Sequence, residues 1–164
     1  MQLPVPAALE LRPHPEGGWY RELHRSAATV RRAGDGATRA GVTLIAYLLQ
    51  RGERSRWHRV RGSDELWIHA AGSPLDLWCL PPDGGEARLL GLGSLTLDAT
   101  PGMGRVADQP TRVVEADWWQ AARSRGAWSL VHCVVGPGFA FDDFEILAEL
   151  PEADRIPGIL VDLL

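Results

Sequence analysis

The sequence predicts an all-β fold, a small barrel of short antiparallel strands, and three observations carry that prediction. The 18 glycines and 12 prolines are spread along the whole chain, which suits many strands and turns better than a few long helices. Apolar runs recur at spacings of roughly ten residues between turn signals, the rhythm of a sandwich or barrel. A chain of 164 residues buries roughly two-thirds of its unfolded surface around a single core, so residues 1–164 are expected to form one domain. Its core spans about 14–149, with a tail over 150–164.

The elements follow in order. After a turn at HPEGG, where adjacent glycines allow positive φ, the segment from Trp19 to Thr29 reads as a strand and RRAGDGATRAG as an exposed loop. Val42 to Leu49, β-branched and apolar, is the best core strand. DELWIHAAG, PLDLWCL, RLLGLGSLTL, TRVVEA, AWSLVHCVV and FAFDDFEIL continue the series, the last as a barrel strand with an edge bulge at Asp142 and Asp143. One helical turn is expected at DWWQAARS, capped by Asp117. The tail, PEADRIPGILVDLL, ends apolar and is expected to pack on the barrel or on a partner subunit.

Composition excludes several functions. The chain contains no lysine, so Schiff-base chemistry and a phosphate-loop lysine are ruled out, and no asparagine, so N-glycosylation is too. The net charge is -4, and the basic cluster Arg51, Arg54, Arg56, Arg59 and Arg61 is followed closely by Asp64 and Glu65, which argues against nucleic acid as a partner. No stretch approaches the ~20 apolar residues of a membrane span, so no membrane partner is expected. Cys79 and Cys133 sit in apolar runs without metal-finger or redox spacing and read as buried free thiols, consistent with the cytoplasm. PGMGRVA imitates a dinucleotide fingerprint but follows no convincing strand and opens no helix.

Residues 52 to 72, GERSRWHRVRGSDELWIHAAG, are the most informative. Successive strand residues face opposite ways, so Glu65, Trp67 and His69 share one side and Leu66 and Ile68 the other, while His58 and Val60 point together. A carboxylate, an indole and imidazoles could thus converge in one barrel mouth. His58 beside a carboxylate has the make-up of a general base with a tuned pKa. Arginine can clamp phosphate bidentately, so the basic segment, Arg59 within it, extends the ligand classes to phosphorylated or nucleotide-like molecules.

The same stretch resembles the first cupin motif, G-x5-H-x-H-x(3,4)-E-x6-G: Gly52, His58, Glu65 and Gly72 fall on the pattern, but Val60 stands where the second histidine belongs. The second motif, P-x-G-x-x-H, would correspond to residues 115 to 120, with Glu115, Asp117 and Gln120 at its Pro, Gly and His positions. A narrower resemblance runs from about His14 to Ile146. HPEGGWY-RE, WHRV, DE-W, WWQAA and PGF-F-DFE are similar to the cupin-5 family.

That resemblance implies an RmlC-like cupin, a double-stranded β-helix or jelly-roll barrel with few short helical turns, and a homodimer. It implies a small-molecule site built around His58, Glu65 and Gln120, with no settled reaction. His58 and Glu65 are the catalytic candidates and Gln120, Trp67 and His69 the ligand contacts. Glu16, Tyr20 and Arg21, which match the family signature beside the HPEGG turn, either line that site or lock the dimer.

His58, Glu65 and Gln120 are also candidate ligands for a divalent transition metal, since neutral imidazole and ionised carboxylate together hold such ions. An amide is a weaker donor, which favours a metal-free polar pocket. The first expectation is therefore an isomerase or epimerase acting on a sugar-like or keto compound, as RmlC-like epimerases do. A metal-dependent oxygenase or lyase and a non-catalytic binding cupin are the alternatives.

Overall fold

The computed structural model describes residues 5–95, 107–156 and 163. A short helix α1 (Val5–Ala8) is followed by β1 (Arg12–Pro13), β2 (Trp19–Arg25), β3 (Thr29–Arg31), β4 (Thr38–Ala40), β5 (Thr43–Gln50), β6 (Arg54–Val60) and β7 (Asp64–Gly72). Then come β8 (Leu75–Leu80), β9 (Arg88–Leu92), β10 (Thr111–Val114), β11 (Trp119–Ser124), β12 (Trp128–Gly136) and β13 (Phe144–Ile146), with single 3-10 turns at Phe141–Asp143, Leu147–Glu149 and Glu152–Asp154. No helix among the described residues is long and apolar enough to cross a membrane.

Two sheets face each other. One has the order β1-β2-β5-β12-β7-β10, the other β13-β6-β11-β8-β9, and β3 and β4 form a separate hairpin. All pairings between named strands are antiparallel. Alternation is cleanest in β12, where Ser129, Val131, Cys133 and Val135 are buried and their neighbours only half-buried. Its register sets Cys133 opposite Trp67 and Val135 opposite Glu65, so the inward side of β7 begins with an acid and an indole.

Between the sheets lies a core that includes Tyr47, Leu49, Trp67, Leu77 and Val131. A second core covers the outer face of the five-stranded sheet, joining Trp57, Trp78 and Trp119 to Leu147 and Leu163. Burying each such side chain stabilises the fold by ~1.5–3 kcal/mol. The tail thus packs on this chain's own barrel at Leu163.

Double-sided burial explains where the sequence reading departs from the structure. DWWQAARS is not a helical turn: Trp119–Ser124 is β11, a central strand hydrogen-bonded to β6 and β8. Its Trp119, Gln120, Ala121 and Ala122 are all buried, so the period of two that marks a half-exposed strand is erased. Asp117 caps no helix. It adopts φ +70 where the second motif has glycine, and its Oδ1 accepts a hydrogen bond from the Gly62 amide at 3.0 Å.

Three other boundaries move. The strand expected from Trp19 to Thr29 ends at Arg25, and part of the expected RRAGDGATRAG loop is strand of the β3–β4 hairpin. FAFDDFEIL forms a 3-10 turn before the three-residue β13, because Asp143 turns inward to meet Arg32 and Arg39. RLLGLGSLTL supplies β9 only as far as Leu92. PGMGRVA lies outside the described residues except for Ala107.

Candidate functional site

A cavity of about 210 Å³ opens at one end of the barrel, between β2, β5, β6, β7 and β12 and the segment that follows β12. Strand register brings its deepest groups together. Gln120 of β11 lies beside His58 of β6 in one sheet, and reaches across the barrel to Glu65 of β7 in the other. The Gln120 amide is used at both ends: Nε2 donates to Glu65 Oε2 at 2.6 Å, and Oε1 accepts from Trp67 Nε1 at 2.8 Å. Gln120 and Trp67 therefore stand behind Glu65 rather than on the cavity surface. Glu65 lines the cavity through its own side chain.

The partner of His58 is Glu16. The turn between β1 and β2 requires glycine: Gly17 has φ +108, and a Cβ there would lie 2.2 Å from the Arg54 carbonyl oxygen. That close approach docks the turn on β6, where the Arg56 amide donates to the Glu16 carbonyl at 2.8 Å. Glu16 Oε2 then lies 3.2 Å from His58 Nε2 and 3.3 Å from His14 Nδ1, while Oε1 accepts from Ser55 Oγ at 2.9 Å. His58 and Glu16 are 2% and 6% exposed.

The other bonds of the two imidazoles determine where their protons sit. His58 Nδ1 is 2.7 Å from the Arg56 carbonyl, which only accepts, so Nδ1 carries the hydrogen and Nε2 offers a lone pair. His14 Nδ1 accepts from the Glu16 amide at 3.3 Å and likewise offers a lone pair. The His58 lone pair faces Glu16 Oε2, whereas that of His14 is already used by the Glu16 amide. A proton on Oε2 satisfies His58 Nε2, whereas an ionised carboxylate would face two unprotonated nitrogens.

Electrostatics agree with this arrangement. Burial raises Glu16 above the usual carboxylate range against the pull of His14, and burial lowers both His58 and His14, favouring neutral rings. Glu65 is pushed up to about 7, by burial first, with His58 and the Gln120 amide opposing. Imidazoles favoured in the neutral form and two carboxyls raised above their usual range thus share one enclosed space.

The remaining candidates from the sequence fall in different places. Tyr20 lines the cavity with Glu16, His58 and Glu65. Arg21, its neighbour on β2, points outward and pairs with Glu10 at 2.5 Å on the surface. Arg59 also points away: it pairs with Glu145 at 2.7 Å and stacks over Trp119. His69 keeps the inward register of Glu65 but stands four residues further along β7, roughly 13 Å at ~3.3 Å per residue, where Nε2 meets the Ser73 carbonyl at 3.2 Å.

The sequence reading did not single out His14, Arg12, Cys133 or the three phenylalanines as parts of this site, although each lines the cavity. Arg12, His14 and Glu16 alternate, a period-two signal hidden by the prolines between them. Phe139, Phe141 and Phe144 are all the phenylalanines of the chain.

The donor set does not fit the metal centre that the first cupin motif implies. Val60 lines the cavity where the second imidazole would be, and the Gln120 amide is fully engaged. Among the described residues, no group of three or more His, Cys, Asp or Glu side chains is arranged to hold a metal ion.

Comparison with known proteins accounts for this pairing of a barrel with a degenerate motif. A hypothetical protein from Leishmania major is 30% identical, with a TM-score of 0.75 over 90% of this chain and 89% of that one. A Shewanella oneidensis protein is 36% identical, with a TM-score of 0.72 over 89% and 85%. An oxalate oxidase solved in complex with glycolate shares the fold alone, at 13% identity and a TM-score of 0.55 over 88% of this chain and 63% of that one. No curated protein matches the sequence. The family model Cupin_5, described as Cupin superfamily (DUF985), matches residues 5–147, and with the two-sheet barrel around His58 and Glu65 this shows that the chain belongs to that cupin family.

Proposed function

We propose that the protein is an enzyme of isomerase or epimerase type that moves a proton next to the carbonyl of a small polar metabolite held in the barrel. One observation carries the reading: Glu16 Oε2 lies 3.2 Å from His58 Nε2 and 3.3 Å from His14 Nδ1 inside a cavity that also holds Glu65. Shifting a proton along a carbon skeleton, or across one carbon, needs a base to take it and an acid to protonate the developing enolate oxygen. Both work best with pKa values near the working pH.

In this reading His58 Nε2, unprotonated and beside Glu16 Oε2, turns its lone pair to the substrate and removes the proton beside the carbonyl. Glu65, with its pKa about 7, donates to the carbonyl oxygen. Return of the carbon-bound proton to the neighbouring carbon of an enediol, or to the other face of the same carbon, with an enol oxygen handing a proton back to Glu65 as the carbonyl re-forms, completes the reaction without an oxidant. Gln120 orients Glu65 from behind. The cavity of about 210 Å³ is below the ~300–1,000 Å³ of drug-sized pockets, which favours a ligand smaller than a nucleotide. We place the protein in the cytoplasm, supported by its two buried free thiols, and as a homodimer, supported by the exposed Leu23 and Val30.

The test is deuterium exchange followed by proton NMR in D₂O, over a panel of keto acids and ketose or aldose phosphates. Exchange beside the carbonyl is expected with the native protein, slowed by at least ~100-fold in His58→Ala. Exchange indifferent to that substitution would overturn the reading. Saturable binding without exchange would replace it by a binding cupin, the reading that Val60 and Gln120 at the motif's histidine positions favour.

A further inference from the structure

Two arginines line the cavity, and their surroundings differ. Arg25 is engaged at each of its three nitrogens: Nε and one terminal nitrogen donate to the two carboxylate oxygens of Glu22 at 3.0 and 2.8 Å, and the other donates to the Phe139 carbonyl at 2.9 Å. Arg12 has no such partner. Its guanidinium lies 4.8 Å above the centre of the Tyr20 ring, and among the described residues none of its donors meets a carboxylate or a carbonyl. Stacking on an aromatic face holds the guanidinium plane while leaving its N–H edges free, the arrangement in which arginine grips a planar oxyanion with two parallel bonds.

The charges in the cavity point the same way. Both carboxylate oxygens of Glu22 are taken by Arg25, which leaves the Arg12 guanidinium without an ion-pair partner among the described residues. Arg12 is opposite Tyr20 in the β1–β2 register, and His14 follows two residues later, roughly 7 Å along an extended chain. A cavity of about 210 Å³ suits a short molecule with its charge near Arg12.

One wall of the cavity is aromatic. Phe139, Phe141 and Phe144 form a mutually edge-on cluster on one side, and the Thr43 hydroxyl nearby already accepts from the Phe139 amide at 2.9 Å. The row of hydroxyls on a sugar would find few partners there.

We propose that the ligand of this cavity is a short oxo acid whose carboxylate is bound by Arg12 at the mouth, with its carbonyl end directed to His58 and Glu65. This rests on the reading of the cavity as the active site and narrows its substrate to anionic keto compounds. Arg12 sets specificity; His58 and Glu65 act on the reacting atoms.

Calorimetric titration of 2-oxobutanoate against the neutral 2-oxobutanamide tests the assignment, with the native protein, Arg12→Gln and Arg12→Lys. The acid is expected to bind about ten- to a hundredfold tighter than the amide to native protein, the worth of a charge-assisted pair. That preference should vanish in Arg12→Gln and survive only in part in Arg12→Lys, with amide affinity unchanged in both. Equal binding of acid and amide to native protein, or an acid preference intact in Arg12→Gln, would overturn the anchor and leave the cavity as the site. Binding of fructose 6-phosphate in preference to both oxo compounds would overturn the substrate class. Proton exchange at the 2-oxobutanoate C3, followed separately with His58→Ala, tells failure of the anchor from failure of the proton-transfer reading.

Discussion

Two buried acid clusters in this molecule lie on either side of the same short segment, and they behave oppositely. Asp143, 2% exposed, receives both arms of Arg32 at 3.1 and 3.0 Å and both arms of Arg39 at 2.7 and 2.9 Å. Those guanidiniums hold its carboxyl below the usual range even though burial pushes the other way. Glu16 and Glu65 make their close contacts with imidazoles, hydroxyls, a thiol and an amide rather than with guanidiniums, and burial raises both. The comparison teaches that burial alone does not decide whether a carboxyl keeps its charge; the formal charge of its partners does. The Asp143 cluster fastens the β3–β4 hairpin to the turn carrying Phe141 and Phe144, whereas Glu16 and Glu65 line the cavity.

The comparison can be broken most forcefully at Asp143. Removing its carboxylate in Asp143→Ala leaves two guanidiniums close together without their shared anion, a loss of about 3 kcal/mol in urea unfolding at pH 7. A change under ~1 kcal/mol would show that the pair is dispensable, as exposed pairs often are. The contribution of Asp143 is complete above its unfolded pKa of ~3.9 and is lost as pH falls through its lower folded value.

Glu65→Gln should have the opposite sign. Because the folded pKa of about 7 exceeds the unfolded one, the folded state binds the extra proton between roughly pH 4.5 and 7, and stability falls as pH rises through that window. A glutamine cannot ionise, so the variant should be more stable than the native protein by on the order of 2–3 kcal/mol at pH 8, with the advantage gone by pH 4. A pH-independent difference between the two would remove Glu65 from the set of proton-holding groups.

The smallest expected effect sharpens the contrast. Ser55→Ala deletes the hydrogen bond to Glu16 Oε1 and should cost about 1 kcal/mol. Since that hydroxyl favours the ionised carboxylate, its loss should move the Glu16 titration, followed by carbon-13 NMR, further upward. A downward movement would mean that the site stabilises the charged form by other contacts.

Local chemistry was enough to read the strand rhythm, the glycine turns, the absence of lysine chemistry, and the alternation that sets Glu65 and Trp67 on one side of β7 and His58 with Val60 on another strand. Periodicity, turn propensity and motif spacing are short-range properties carried by a few consecutive residues. β11 was misread because burial on both faces removes the pattern that such short-range rules detect.

Which groups meet depended on pairing over long separations. Glu16 reaches His58 across 42 positions because one glycine turn docks on β6, and Gln120 reaches Glu65 across 55 positions because two sheets close on one another. Cross-strand register and sheet packing, which arise from the whole core at once, therefore placed Arg59 and Arg21 outside, turned Gln120 into a support, and brought His14, Arg12 and the phenylalanines to the cavity.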